Sequence, residues 1–182
     1  MLRFFTTKRL FHFWAAIVHV KFIQLYDAYF DDVYRYVYVK TGNKWDAEDL
    51  ESDIFRKAFE KRSSLAKHPN QKSWLFMIAR NTIIDFYRKK KNVPIGDGME
   101  HYVSPVDFED SFEGANEKEC LQKSLPHLST EDLEITQLRY FANLKFKEMA
   151  MILNKKEGSL RVKSNRITKK LGIRVRKCLG ES

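Results

Sequence analysis

Three groups of side chains in this chain have the types and spacing that do chemistry. The first is the run Trp74-Leu-Phe-Met-Ile-Ala-Arg-Asn-Thr-Ile-Ile-Asp-Phe-Tyr, a helix that Ser73 is expected to cap and that closes on Arg88, Lys89, Lys90 and Lys91. Cations suit a helix C-terminus. Aromatic faces beside cations also suit single-stranded nucleic acid, with charge for its backbone and flat rings for its bases. For Trp74, Phe76, Phe86 or Tyr87 taken singly, core packing is the simpler reading. The second group lies between residues 155 and 177, where ten basic residues accompany a single acid, Glu157, and Leu160, Ile167 and Leu171 keep an inward face. A helix so cationic on its outer side fits a major groove. The third is the cluster Asp46, Glu48, Asp49, Glu51 and Asp53. These acids point to different sides of one helix, and no His or second cluster completes a catalytic set, which argues against a metal-dependent enzyme on nucleic acid. No catalytic residue, metal or cofactor is expected.

The elements that must hold these groups are helices. With 7 Gly and 4 Pro in 182 residues, the chain lacks the turn residues a many-stranded sheet consumes. Over residues 22–40, Phe22, Leu25, Tyr26, Tyr29, Val33, Tyr36 and Val37 follow the three-and-four spacing of one helix face. After Thr41, Gly42 and Asn43, a second helix is expected with Asp46 as its cap, an apolar stripe of Leu50, Ile54 and Ala58, and Arg56, Lys57, Lys61 and Arg62 at its end. Residues 61–72, with Ser63, Ser64, His68, Pro69 and Asn70, read as a surface loop. Further on, Ser129 is expected to cap a helix over residues 130–141 that ends at Asn143. A short helix over 146–153, a turn over 154–158 and a longer helix over 159–171 then give a helix-turn-helix layout.

The formal net charge of +9 hides a division. Residues 1–91 carry a net +8, residues 92–119 a net −7 and residues 120–182 a net +8. The middle stretch, with Pro94, Gly96, Gly98, Pro105 and Gly114, shows neither helical nor strand periodicity and reads as an acidic flexible linker. Two basic lobes on an acidic tether suit a protein that places both lobes on one polyanion. A mean hydropathy of −0.49 excludes a membrane protein of several spans. Cys120 and Cys178 have no neighbouring Cys or spaced His, so reduced thiols are expected. The apolar run 10–20 after Lys8 and Arg9 is like the start of a signal peptide, but it holds His12 and His19 and lacks a cleavage site, so export is not expected. The expected organisation is all-α: an N-terminal extension over 1–21, a helical domain over 22–91, the acidic linker over 92–119 and a helix-turn-helix domain over 120–182.

Taken together, the two lobes resemble the bacterial sigma factors of RNA polymerase, in particular the small extracytoplasmic-function (ECF) group of the sigma-70 family. The segment Asp46-Ala-Glu-Asp-Leu-Glu-Ser-Asp-Ile-Phe-Arg-Lys-Ala-Phe is similar to that group's polymerase-binding helix, with Ser52 and Asp53 where Gln and Glu are usual. Trp74 to Lys89 is similar to its promoter-melting helix. Leu125-Pro, Leu138-Arg-Tyr, Phe146-Lys-Glu-Met-Ala-Met-Ile-Leu and Gly158-Ser-Leu-Arg are similar to its upstream-element reader, with Lys156, Val162 and Asn165 departing from the common pattern.

The resemblance implies a non-catalytic initiation subunit in the cytoplasm, without membrane insertion. It would bind the β′ and β subunits of core RNA polymerase, recognise promoter DNA in double- and single-stranded form, and direct strand opening. An anti-sigma protein is a further partner it allows. By the same resemblance Asp49, Leu50, Ser52, Asp53 and Phe55 would face polymerase. Trp74, Arg80, Asn81, Arg88, Lys89 and Lys90 would meet the melted downstream element, with the loop 62–72 and Asn81 holding a flipped base. Ser159, Arg161, Lys163, Asn165 and Arg166 would read the upstream element. The competing reading is a helix-turn-helix regulator whose N-terminal helices sense a signal or dimerise. It accounts for the second lobe but not for the pattern over residues 74–91.

Overall fold

The computed structural model describes residues 5–65, 67–91 and 115–180, with residues 5–19, 91 and 115 described as backbone only. The described residues are helical with short connections. Helix α1, Phe5–Thr41, runs without a break through the boundary expected near residue 21. No Gly or Pro interrupts it before Gly42, whose left-handed φ of 61° ends the helix, its N–H bonding the Tyr38 carbonyl at 2.7 Å.

Helix α2, Lys44–Glu60, is capped by Asn43, whose side-chain oxygen accepts from the Asp46 N–H at 3.1 Å. Asp46, the expected cap, is the capped residue. The same displacement recurs at α4, Gln71–Lys91. There Asn70, not Ser73, supplies the oxygen, accepting from the Ser73 N–H at 2.7 Å. The loop between them contains the short helix α3, Arg62–Leu65. The Trp74 indole donates to Ser64 Oγ at 3.1 Å and ties the loop to α4. Helices α1, α2 and α4 bury Leu25, Val33, Val37, Ile54, Leu75, Phe76 and Ile83 between them. Along the α1–α2 seam Phe22 meets Phe59, and Tyr26 meets Phe55 with ring centroids 4.6 Å apart.

In the second lobe α5, Ala115–Ser124, begins inside the stretch expected to be linker, whose residues 92–114 lie outside the described residues. A 3₁₀ turn, Leu125–His127, leads to α6, Thr130–Thr136, capped by Ser129 as expected. Its last turn widens into a π-helical segment, Gln137–Phe141, and Asn143 then takes φ 50°. Helix α7, Phe146–Leu153, starts on a reciprocal cap in which the Lys145 N–H donates to the Glu148 carboxylate at 2.7 Å. Asn154, at φ 51°, closes it, and α8 follows over Glu157–Leu179, longer at both ends than the expected 159–171. Cys120 on α5 and Cys178 on α8 are joined as a disulfide, 58 residues apart in sequence, against the expectation of reduced thiols.

The lobes pack on each other rather than hanging apart. The π-helical segment lies against α1 and α7 against α4, and one cluster of buried apolar side chains spans both lobes. Polar bonds stitch the seam. Glu134, 7% exposed on α6, accepts from Tyr36 Oη at 3.4 Å and Arg80 Nε at 3.1 Å, with Lys40 Nζ 3.7 Å away. Lys72 donates to Asp32 at 2.7 Å within its own lobe and to the Asn143 carbonyl at 2.8 Å across the seam. Asn70 donates to the Glu148 carboxylate at 3.3 Å, and Ser73 Oγ to the Glu148 backbone carbonyl at 3.4 Å. Burial and then the Glu134 charge push the Tyr36 hydroxyl well above its ordinary pKa, while burial pulls Lys40 down.

Candidate nucleic-acid and partner interface

On α2 the helical period divides the residues expected to face polymerase. Asp49 and Ser52 are exposed and Asp53 is half-buried. Leu50 and Phe55 turn inward, Phe55 between Tyr26 and Phe30, and both line the core. This corrects their expected outward placement, because only residues three and four apart share a face. Asp53 is held by Arg56 and by Lys57 at 2.8 Å; burial works against its charge, but these bonds outweigh it and lower its pKa. The outward face also presents Trp45, 75% exposed.

Glu51, on the same helix, is buried, and its Oε1 has no hydrogen-bond partner among the described residues. Burial first, then the charges of Glu48 and Asp31, push its pKa up to about 7. An unfolded carboxylate titrates near about 4.3. Between those values the folded chain keeps a proton that the unfolded chain has lost, so this contribution to stability is full at low pH and falls as pH rises toward 7. Glu51→Gln should remove that fall and raise stability at pH 8 by about 1–2 kcal/mol, less than the whole shift because solvent screens Glu48 and Asp31. Urea melts at pH 5 and pH 8 measure it, and an unchanged difference between the two pH values would contradict the assignment.

Helix α4 presents a mixed face. Trp74 is 6% exposed, so its ring supports the loop 62–72 and does not meet a base in this arrangement. Asn81, one residue after Arg80, is exposed. Arg88 pairs with Asp85 at 2.8 Å, Lys89 is exposed, and Lys90 reaches Asp46 at 3.0 Å across the gap to α2. Solvent-exposed pairs of this kind are worth little and yield readily to phosphate. Arg80 differs: its Nε is engaged by the buried Glu134.

On α8, Leu160, Ser164 and Ile167 are buried and fix the helix roll. Ser159, Arg161, Asn165 and Arg166 are thereby left exposed. Arg161 bonds Glu157 at 2.9 Å, with its guanidinium 5.2 Å above the Phe146 ring, so it leans toward α7. Lys163 turns back to Glu131 and Asp132; burial opposes its charge, but the bonds to these two acids raise its pKa. Ser159, Val162, Lys163, Arg166 and Lys170 border a groove of about 720 Å³ that Ser129 and Asp132 close from the α6 side. The five residues expected on this helix therefore lie together, with Asn165 and Arg166 pointing outward and Lys163 already paired.

Exposed cations and amides spaced along a helix are the groups that phosphates and base edges pair with. Among the described residues no group of three His, Cys, Asp or Glu side chains could hold a metal ion, and no helix is long and apolar enough to cross a membrane.

Comparison with known proteins accounts for both lobes. The sigma-70 region 2 family matches residues 25–93, close to the span of the first lobe. The ECF RNA polymerase sigma factor SigM of Bacillus subtilis is 32% identical over 139 residues, 76% of this chain and 85% of SigM. The ECF RNA polymerase sigma factor BldN of Streptomyces coelicolor is 29% identical over 154 residues, 82% of this chain but 58% of BldN. Among solved structures, the sigma factor RpoE of Bartonella quintana, in complex with the anti-sigma factor NepR, matches with a TM-score of 0.60 at 23% identity, covering 88% of this chain and 97% of that one. At that identity the likeness establishes the all-α fold.

Proposed function

Because the chain belongs to the ECF group of RNA polymerase sigma factors, we propose that α2 docks it on core polymerase while α4 and α8 divide the work on promoter DNA. It is a non-catalytic initiation subunit. The observation that carries the reading is the match to SigM. At 139 residues it is too long to lie in either lobe alone, which disfavours a regulator that shares only the second lobe.

The outward face of α2, with Asp49, Ser52 and Trp45, is the polymerase contact. Asn81 and the loop 62–72 take an extruded base, and Arg88, Lys89 and Lys90 hold the strand beside it. Extracting a base costs a few kcal/mol, which an amide and a cationic rim can offset. Asn165 and Arg166 read the upstream element, Arg and Asn having the bidentate geometry that guanine and adenine require. Ser159, Arg161 and Lys163 contact the backbone beside them. The site of action is the cytoplasm, where core polymerase and promoter meet, and an anti-sigma protein is a further partner.

Gel filtration of the chain with core polymerase tests this. The chain is expected to co-elute with core and to bind a promoter duplex tightly only in that complex. Tight, sequence-specific duplex binding without core would favour the regulator.

A further inference from the structure

The disulfide between Cys120 and Cys178 is at odds with the compartment in which the chain is proposed to act. A partner of core polymerase works among thiol pools that keep cysteines reduced, and disulfides that form there are mostly transient or redox-sensing. The two ends of this bond are placed unequally. Cys120 on α5 is 6% exposed, whereas Cys178, in the last turn of α8, is an exposed residue. The stretch of α8 that carries Cys178 is weakly held. The buried residues of that helix are Leu160, Ser164 and Ile167, and none of residues 168–179 is buried. Gly172 stands inside this stretch. A Cβ there would meet nothing within 4 Å, so no close packing calls for a glycine, and its effect is to loosen the helix. The β-branched Ile173 and Val175 that follow are poor helix formers as well. The disulfide therefore pins to α5 a helical end that burial and propensity do little to hold.

We propose that Cys178 is a site of thiol–disulfide exchange with a dithiol reductant, and that the state of the bond sets how firmly the cationic end of α8 holds DNA phosphates. This rests on the assignment of α8 to duplex DNA. A thiolate of the reductant attacks Cys178 Sγ to form a mixed disulfide. The bond to Cys120 breaks with its electron pair on Cys120 Sγ, which takes up a proton. The reductant's second thiolate then attacks its own sulfur in the mixed disulfide, and Cys178 leaves as a thiolate. Two electrons have passed to the chain and the reductant has become a disulfide; a small-molecule disulfide runs the sequence backward. Once the bond is open, the turns beyond Gly172 fray. Arg174, Arg176 and Lys177, exposed on those turns, lose the fixed spacing with which the C-terminal end of a groove-reading helix meets the backbone. Asn165 and Arg166 flank the buried Ser164 and Ile167 and keep their places. Reduction thus removes phosphate contacts and leaves base reading intact.

The test uses the full-length chain in three states: oxidised, treated with dithiothreitol without denaturant, and re-oxidised with glutathione disulfide. Alkylation followed by mass spectrometry counts the free thiols. A fluorescein-labelled duplex of random sequence, titrated over a range of salt, reports the phosphate contacts. Dithiothreitol is expected to open the bond in the folded chain. Affinity at physiological salt should then fall about tenfold, and the slope of log affinity against log salt should drop by about one to two, the mark of one or two lost phosphates. Both should return on re-oxidation. The double variant Cys120→Ser, Cys178→Ser should bind like the reduced parent whether or not dithiothreitol is present. Gly172→Ala strengthens the helix beyond the anchored part, so it should shrink the loss on reduction while leaving oxidised binding unchanged. A bond that dithiothreitol opens only in denaturant overturns the proposal. So does equal affinity and salt slope in the two states, even if reduction lowers the melting temperature, because that is the behaviour of a bond that only stabilises. Failure of the α8 assignment would appear instead as undiminished duplex binding by the oxidised Arg166→Ala chain, and failure of the sigma-factor reading as a parent chain that does not co-elute with core polymerase.

Discussion

Asp49→Lys is expected to weaken association with core polymerase about a hundredfold, the equivalent of roughly 3 kcal/mol for a charge reversed against a complementary surface. The residue stands at the centre of the exposed face of α2, and the core packing beneath it runs through Leu50 and Ile54. Reversal there leaves the helix bundle intact, so circular dichroism and melting temperature should stay within the range of a surface change, about 0.5 kcal/mol. Asp53 is the poorer choice. It is held by Arg56 and Lys57, and a lysine at that position would gather three cations within one turn. Binding to immobilised polymerase at physiological salt gives the measurement. Parental affinity for the Asp49 variant would show that polymerase does not meet this face.

The second large effect separates reading from opening. Arg166→Ala should cost roughly 1–3 kcal/mol of closed-complex binding and relax preference at one position of the upstream element, because a bidentate donor is lost from the groove. Asn81→Ala should leave that binding nearly unchanged and reduce strand opening, since an extruded base loses its hydrogen-bond partner. Asn81 is exposed, so its removal leaves no buried polar group unpaired and should barely move the melting temperature. Permanganate reactivity of unpaired thymines reports opening, and a duplex-binding assay on the same promoter at fixed salt reports reading. A proportional loss of both by Asn81→Ala would remove its base-holding role.

Much of the fold was legible because local rules act locally. The three-and-four spacing of Leu50, Ile54 and Ala58 already marked the inward side of α2, and burial follows it. The assignment of Leu50 and Phe55 to a partner came from motif resemblance, and there the periodicity was the better guide. The caps of α2 and α4 fell three residues early for one reason. In Asn43-Lys-Trp-Asp46 and Asn70-Gln-Lys-Ser73 two good capping residues compete, and the first of each pair takes the role. The continuity of α1 across residue 21 was not legible, because the apolar run before it reads as a short extra helix or a frayed extension as readily as the start of one long helix.

Long-range features were not legible. Nothing near Cys120 points to Cys178, because their meeting depends on how α5 lies along α8. Glu134 looks like any helical surface acid until the lobes dock and bring Arg80, Lys40 and Tyr36 to it. Lys163 likewise reads as a free groove-facing cation, and only the return of α6 gives it Glu131 and Asp132. Contacts between residues far apart in sequence follow from tertiary packing, which periodicity does not encode.

Run-off transcription with purified core polymerase on a library of genomic fragments, followed by mapping of the 5′ ends, tests the central claim most directly. The account predicts transcripts that appear only when the chain is added, whose start sites share one pair of sequence elements at a fixed spacing and which are lost with Asp49→Lys. Transcripts identical with and without the chain, or only repression of a second sigma factor's promoters, would contradict it.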